Sequence, residues 1–257
     1  MARYPENRRG LVSDSRVTMI LGASGGIGTA VSKRLAASGD RLVLCGRDEA
    51  RLSDLAGDVG GEFTVLDARD FEHVSSAVEG TVEQFGQLDA VVNCVGSILL
   101  RPAHLTSKQD FDDVLATNLT SAFAVVRAAS RAMMAQNGGS IVLFSSAAGR
   151  LGLPNHEAIA AAKAGVDGLV RAAAATYGRA GVRVNAVAPG LVETPATERI
   201  TGNAKSRTSS EKMHALGRIG QPEDVASAIE WLLMPEASWV TGQVIGVDGG
   251  LATARSG

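Results

Sequence analysis

A cluster of glycines near the start of the chain has the composition of a phosphate-binding turn. Residues 21–28 read LGASGGIG and directly follow the apolar run Val17–Leu21. Between a strand and a helix, closely spaced glycines let the backbone approach a pyrophosphate, and the first N–H groups of the helix point at it. The residues expected to contact a dinucleotide here are Gly22, Ser24, Gly26, Ile27 and Gly28. A tight strand-to-helix turn without a ligand is the alternative interpretation.

The residues after the second apolar run bear on which dinucleotide is bound. In such sites an acidic residue about 20 positions beyond the glycines binds the ribose 2′-hydroxyl of NAD. Here the run at 42–45 is followed by Gly46 and Arg47, and a guanidinium suits the 2′-phosphate of NADP. Gly25 offers no second cation, and Asp48 is interpreted as a helix cap. The sequence therefore favours NADP, with NAD as the alternative.

These residues need a scaffold, and the hydrophobic pattern predicts one. Short β-branched runs alternate with longer amphipathic or Ala-rich segments. The runs lack polar alternation, which is typical of strands buried on both faces of a parallel sheet. We predict a single α/β domain of the Rossmann type, with a doubly wound sheet of seven parallel strands. The predicted strands are 17–21, 42–45, 63–66, 90–93, 141–144, 182–187 and 244–247, and the two longest predicted helices are 108–136 and 155–178.

Composition excludes several classes of protein. The 257 residues include 25 Lys+Arg and 27 Asp+Glu, a balance unlike that of a dedicated nucleic-acid binder. The apolar stretches are shorter than the ~18 residues of a membrane helix, and residues 1–14 read as a loose polar tail before a domain at 15–257. Two cysteines, Cys45 and Cys94, fit a reducing compartment, so a cytoplasmic protein without nucleic-acid or membrane partners is expected. Three histidines without metal-ligand spacing are interpreted as surface residues: His73, His104 and His214.

Short motifs occur in a fixed order along the chain. They are the glycine turn, Asp67, NCVG at 93–96, Asn118, Ser145 and Ser146, Pro189 and Gly190 with Thr194 and Pro195, and VDGG at 247–250. Over residues 15–250 this order resembles that of the short-chain dehydrogenase/reductase family, in its form of about 250 residues. The resemblance implies an NAD(P)-dependent enzyme that acts on a small molecule and assembles as a homodimer or homotetramer.

The resemblance also implies roles for individual residues. Those implied to bind the cofactor are Asp67, Asn93, Gly96, Lys163, Pro189, Gly190 and Thr194. In the active site, Ser146 would hydrogen-bond a carbonyl oxygen and Lys163 would hold the nicotinamide ribose. Asn118 would help to hold a water chain to Lys163, although a structural role within its helix is the alternative.

The chain departs from the family pattern at the residue that donates the proton. The family motif is Tyr-xxx-Lys, with the tyrosine thirteen residues after the catalytic serine. Counting back four residues from Lys163, or forward thirteen from Ser146, reaches Ile159 in both cases. The two tyrosines of the chain, Tyr4 and Tyr177, lie far from this position in the sequence. Because isoleucine cannot donate or accept a proton, the standard proton transfer of the family is excluded.

A neighbouring histidine is the candidate replacement. If Asn155 caps the helix, His156 lies three residues before Ile159 and on nearly the same helical face. Imidazole is a common acid–base catalyst. The alternative interpretation places His156 and Glu157 at the surface in the first helical turn.

The substrate and the reaction remain open at this level. Residues 191–216 are polar, and the resemblance implies that they form a substrate lid. An NADP(H)-dependent oxidoreductase acting on a carbonyl or hydroxyl group, with an unusual proton donor, is the leading hypothesis. The alternatives are a non-redox lyase, isomerase or cyclase using the same pocket, and a catalytically silent subunit that pairs with an active homologue.

Overall fold

A parallel seven-stranded sheet forms the centre of the computed structural model, which describes residues 15–254. The strand order is β3-β2-β1-β4-β5-β6-β7. The strands are β1 (Val17–Leu21), β2 (Arg41–Gly46), β3 (Glu62–Val65), β4 (Ala90–Asn93), β5 (Gly139–Phe144), β6 (Val182–Pro189) and β7 (Val244–Val247). The strand order reverses between β1 and β4, and ligands of such sheets bind in the crevice at this point. The predicted doubly wound fold is confirmed, while the predicted tail at 1–14 lies outside the described residues.

Helices cover both faces of the sheet. They are α1 (Gly26–Ala37), α2 (Glu49–Val59), α3 (Phe71–Phe85), α4 (Lys108–Leu115), α5 (Ser121–Ala135), α6 (Glu157–Tyr177), α7 (Glu198–Thr201), α8 (Ala204–Met213) and α9 (Pro222–Leu233). Helices α1, α2 and α9 share one apolar core with the sheet, and α3, α5 and α6 share the other. This double coverage explains why β1 and β4 are mostly apolar and buried along their whole length. Within 15–254, no helix is long and apolar enough to cross a membrane.

Three details differ from the sequence prediction. Strand β3 lies at the sheet edge and all four of its residues are exposed, so the expectation of burial on both faces is wrong there. The predicted helix 108–136 is divided into α4, a π-helical turn (Ala116–Thr120) and α5. The predicted helix 155–178 begins at Glu157, because Asn155 adopts a left-handed conformation with φ of 65°.

Candidate active site and cofactor groove

The glycine turn lies between β1 and α1, as predicted, and its glycines are required by close contacts. Gly22 has a φ of 72°, in the left-handed region. A Cβ on Gly28 would lie 2.2 Å from the Gly22 carbonyl oxygen, and a Cβ on Gly26 would lie 2.8 Å from the Thr194 Cβ. The first N–H groups of α1 have no carbonyl partner within the helix. The turn therefore fits a pyrophosphate, and the Gly26 contact brings Thr194 beside it.

A cavity of about 350 Å³ extends from the glycine turn over the carboxyl ends of β2 and β3. Five of the predicted cofactor residues line it: Gly22, Ser24, Arg47, Asp67 and Gly96. Asp67 forms an ion pair with Arg69 at 2.6 Å. The hydrogen bond from this guanidinium lowers the pKa of the Asp67 carboxyl. The cavity has the position expected for the adenosine half of a dinucleotide.

Two arginines that the sequence analysis missed also line this cavity. Arg51 donates through Nη2 to the Ser24 carbonyl oxygen at 2.5 Å, and Arg69 holds Asp67. Gly25 supplies no cation, but Arg51 places a second guanidinium group on the wall of the cavity that Arg47 lines. The spacing of Arg51 in the sequence could have identified it. Asp48 caps the start of α2, and Arg51 lies four residues after Arg47, about one helical turn further on.

Lys163 lies close to Gly96, one of the residues that line the first cavity. Its side chain is buried, and its Nζ donates to the Phe144 carbonyl oxygen at 2.8 Å. Burial lowers the pKa of Lys163 to about 8, while the negative charge of Asp167, one helical turn further on, opposes that change. A Cβ on Gly96 would lie 3.8 Å from the Lys163 Nζ, so this glycine allows the groove to reach the ammonium group.

Asn118 lies in the π-helical turn and makes its hydrogen bonds locally. Its Nδ2 donates to the Val114 carbonyl oxygen and to Ser97 Oγ, both at 3.0 Å, and its Oδ1 accepts from the Ser97 N–H at 3.2 Å. Its Oδ1 would also lie 3.2 Å from a Cβ on Gly96. Asn118 thus borders the same glycine as Lys163, and its amide fixes the loop after β4.

Asn93 and Ile27, two of the predicted cofactor residues, do not line the first cavity. Asn93 accepts a 3.2 Å hydrogen bond from the Val95 N–H and donates to Ser121 Oγ at 3.4 Å, so its side chain holds the loop that carries Gly96. Ile27 packs on the apolar core beneath α1. These two residues hold in place the backbone that borders the cavity.

A second cavity, of about 310 Å³, contains four of the other predicted residues. Ser146, His156, Pro189 and Gly190 line it, together with Ile159. Ser146 Oγ accepts from the Ala148 N–H at 3.1 Å, which leaves its own O–H group able to donate. The arrangement places a hydroxyl donor and an imidazole around one space.

Ile159 and His156 lie on the same wall of the second cavity. Ile159 is 5% exposed and packs with Val114, Ala158 and Ala162. His156, rather than Asn155, is the N-cap residue of α6. Its Nδ1 donates to the Pro154 carbonyl oxygen at 2.8 Å, so Nε2 is the ring nitrogen available to a substrate.

His214 is buried, which corrects its interpretation as a surface residue. Its Nδ1 donates to the Ser210 carbonyl oxygen at 2.6 Å, and its Nε2 accepts from the Leu191 N–H at 3.2 Å. These bonds attach the end of α8 to the chain leaving β6. The histidine lies on the wall of the second cavity, and a Cβ on Gly190 would lie 2.6 Å from its Nε2.

Comparison with known proteins identifies the family of this chain. A family model described as enoyl-(acyl carrier protein) reductase matches residues 22–252. The 3-oxoacyl-(acyl-carrier-protein) reductase of Thermotoga maritima is 37% identical over 245 residues, covering 93% of this chain and 98% of that protein. The short-chain reductase protein NovJ of Streptomyces niveus is 37% identical over 254 residues, covering 93% and 95%.

A solved structure has a similar fold over nearly the whole chain. The crystal structure of an actinorhodin polyketide ketoreductase with NADPH has a TM-score of 0.89 at 30% identity, covering 95% of this chain and 100% of that chain. The sequence identity extends over nearly the whole chain, the fold is shared, and these relatives are named as reductases. The chain belongs to the short-chain dehydrogenase/reductase family and is an NAD(P)-dependent oxidoreductase.

Proposed function

We propose that the protein uses NADP(H) to interconvert a carbonyl and a hydroxyl group on a small molecule, with His156 in place of the tyrosine proton donor. The observation that carries this proposal is the shared wall of the second cavity. Ser146, Ile159 and His156 face one space, close to the buried Lys163. A hydrogen-bond donor for the carbonyl oxygen and a group able to exchange a proton are therefore both present without a phenol.

The preference for NADP rests on the arginines of the first cavity. Arg47 and Arg51 both line it beside Ser24, and the carboxylate of Asp48, which also lines it, caps α2 by accepting from the Arg51 N–H. Guanidinium groups bind phosphate through paired, charge-assisted hydrogen bonds. The NADPH-containing ketoreductase structure is consistent with this choice for a relative of the same fold.

The reaction follows from what each side chain can hold or move. When bound, the nicotinamide supplies or accepts the hydride. Ser146 donates its hydroxyl hydrogen to the carbonyl oxygen and stabilises the charge that develops there. In reduction, imidazolium at His156 gives its Nε2 proton to the forming alkoxide. In oxidation, neutral Nε2 removes the proton from the alcohol, and Lys163 positions the cofactor ribose.

Titration of the purified protein with NADPH and with NADH, followed by nucleotide fluorescence, tests the cofactor. We expect NADPH to bind at least tenfold more tightly, and we expect Arg51→Ala to reduce that ratio. His156→Ala should lower turnover by roughly 10²–10⁴-fold with little change in NADPH affinity. His104→Ala, at an exposed histidine, is the matched control.

Other outcomes would favour the alternatives. Product formation that does not need nucleotide would support a non-redox enzyme. Nucleotide binding without turnover, combined with co-purification of a tyrosine-containing relative, would support a silent subunit.

We also propose a homo-oligomer, as the resemblance to the family implies. Large apolar side chains are exposed on two separate parts of the described surface. Phe123 on α5 is half-exposed, and Trp239 before β7 is 99% exposed. Contact between copies of the chain would remove these surfaces from water.

A further inference from the structure

The cavity beside Ser146 has apolar walls. Eight large aliphatic or thioether side chains line it: Ile98, Leu100, Leu153, Ile159, Leu191, Ile200, Met213 and Leu251. The polar side chains on the wall are hydroxyls and two imidazoles. None of the described lining residues is Asp, Glu, Lys or Arg.

Three of these apolar side chains are unusually exposed for their type. Ile98 is 48% exposed, Leu100 43% and Met213 43%. They come from two distant parts of the chain, the loop after β4 and the end of α8, and converge on one opening. Exposed apolar groups that converge on a cavity mark a surface that an apolar ligand covers.

None of the described cations close to this opening in the sequence lines the cavity, and three of the arginines are held by other groups. Arg101 forms a 2.6 Å ion pair with Asp110, and Arg207 forms one of 2.7 Å with Glu193. The guanidinium of Arg150 donates to the Val244 carbonyl oxygen at 3.3 Å. Arg199, next to Ile200, is exposed and does not line the cavity.

The two imidazoles provide no fixed counter-charge. Both ring nitrogens of His214 are engaged, one as donor and one as acceptor, which is the pattern of the neutral ring. In the proposed reduction the Nε2 proton of His156 is directed at the carbonyl oxygen, so it does not pair with a separate anion, and the ring is neutral once that proton has moved. A carboxylate or phosphate inside the cavity would therefore lose its hydration without gaining an ionic partner.

We infer that the substrate is a neutral ketone, or the matching alcohol, whose groups within the cavity are apolar. Short keto acids and sugar phosphates, in which the charge lies within a few bonds of the carbonyl, are excluded. This inference rests on the proposed function, since it concerns the carbonyl compound that the same site would reduce.

The test compares methyl levulinate with levulinate, which share a carbon chain and a ketone and differ in charge. Binding to the protein saturated with NADP⁺ is measured by saturation-transfer NMR, and turnover by NADPH consumption. We expect the ester to bind and kcat/KM for the ester to exceed that for the acid at least tenfold. Equal or better binding of the acid, or no binding of the ester, would overturn the inference.

A charge introduced at the opening gives a second measurement. Met213→Arg should raise the kcat/KM of levulinate relative to its methyl ester at least tenfold, because a guanidinium pairs with carboxylate. Met213→Gln, similar in length but uncharged, should keep the preference for the ester. A Met213→Arg variant that binds NADPH and keeps that preference would contradict the inference. Binding of the ester without NADPH consumption would support the substrate class and contradict only the proposed redox function.

Discussion

Lys163 shows how a single buried charge is maintained at this site. Its ammonium donates to the Phe144 carbonyl oxygen, and Asp167 lies one turn along α6 with an Oδ1 that has no hydrogen-bond partner among the described residues. Loss of hydration favours the neutral amine, whereas the carboxylate favours the ammonium. The outcome is a pKa of about 8, so the charge of Lys163 is sensitive to conditions near neutrality.

We expect NADPH affinity to fall as the pH rises through about 8, where Lys163 loses its proton. A charged hydrogen bond to the ribose contributes about tenfold or more in affinity. Asp167→Asn removes the field that raises the pKa of Lys163, so the fall should begin at lower pH. Dissociation constants measured between pH 6 and 9.5 test this, with Asp167→Glu expected to restore the original profile. An unchanged profile in Asp167→Asn would show that Asp167 does not hold the charge.

Ile159 is the second residue at which a single side chain decides the chemistry. In the His156→Ala variant, which lacks the proposed proton donor, we expect Ile159→Tyr to raise carbonyl reduction by about 10²–10⁴-fold, because a phenol next to Lys163 supplies a general acid. Ile159→Phe is the matched control, since it adds the ring without the hydroxyl. Initial rates with NADPH and a neutral ketone measure the difference. Equal rates for the two variants would mean that the cavity cannot use a proton donor at this position.

At the scale of elements, the attachment of α8 depends on His214. We expect His214→Phe to loosen α8, because it removes two hydrogen bonds and leaves the Leu191 N–H without its partner. An unsatisfied buried donor costs about 1–3 kcal/mol. Amide hydrogen exchange across residues 198–213 should become faster, with exchange in β1 and β4 unchanged. His104→Phe, at an exposed position, should show no such effect.

The positions of helices and strands could be predicted from the sequence more accurately than the burial of individual residues. Periodicity located all seven strands, and the spacing of Gly22, Gly26 and Gly28 located the turn, because both depend on residues close together in the chain. The burial of His214 and the exposure of β3 depend on tertiary packing, which local patterns do not record. Asn155 was assigned as a cap because asparagine favours that position, but it equally favours the left-handed conformation that it adopts.

For the whole molecule, the exposed tryptophans report on assembly. Trp239 is 99% exposed, so its fluorescence in an isolated chain would be that of an indole in water. We expect a homo-oligomer by light scattering, and a blue-shifted emission that moves to the red on dilution as subunits separate. Trp231→Phe removes the other tryptophan and makes the signal specific. A monomer with red-shifted emission at all concentrations would contradict the proposed assembly.

The contact of Thr194 with Gly26 has a kinetic consequence. The segment that begins at Thr194 touches the glycine turn and then continues into α7 and α8, which supply Ile200 and Met213 to the cavity wall. One stretch of chain thus borders both the pyrophosphate turn and the substrate space. We expect a compulsory order of binding, with nucleotide first and carbonyl compound second, and NADP⁺ leaving last. Product inhibition by NADP⁺ that is competitive with NADPH and noncompetitive with the ketone would show this order.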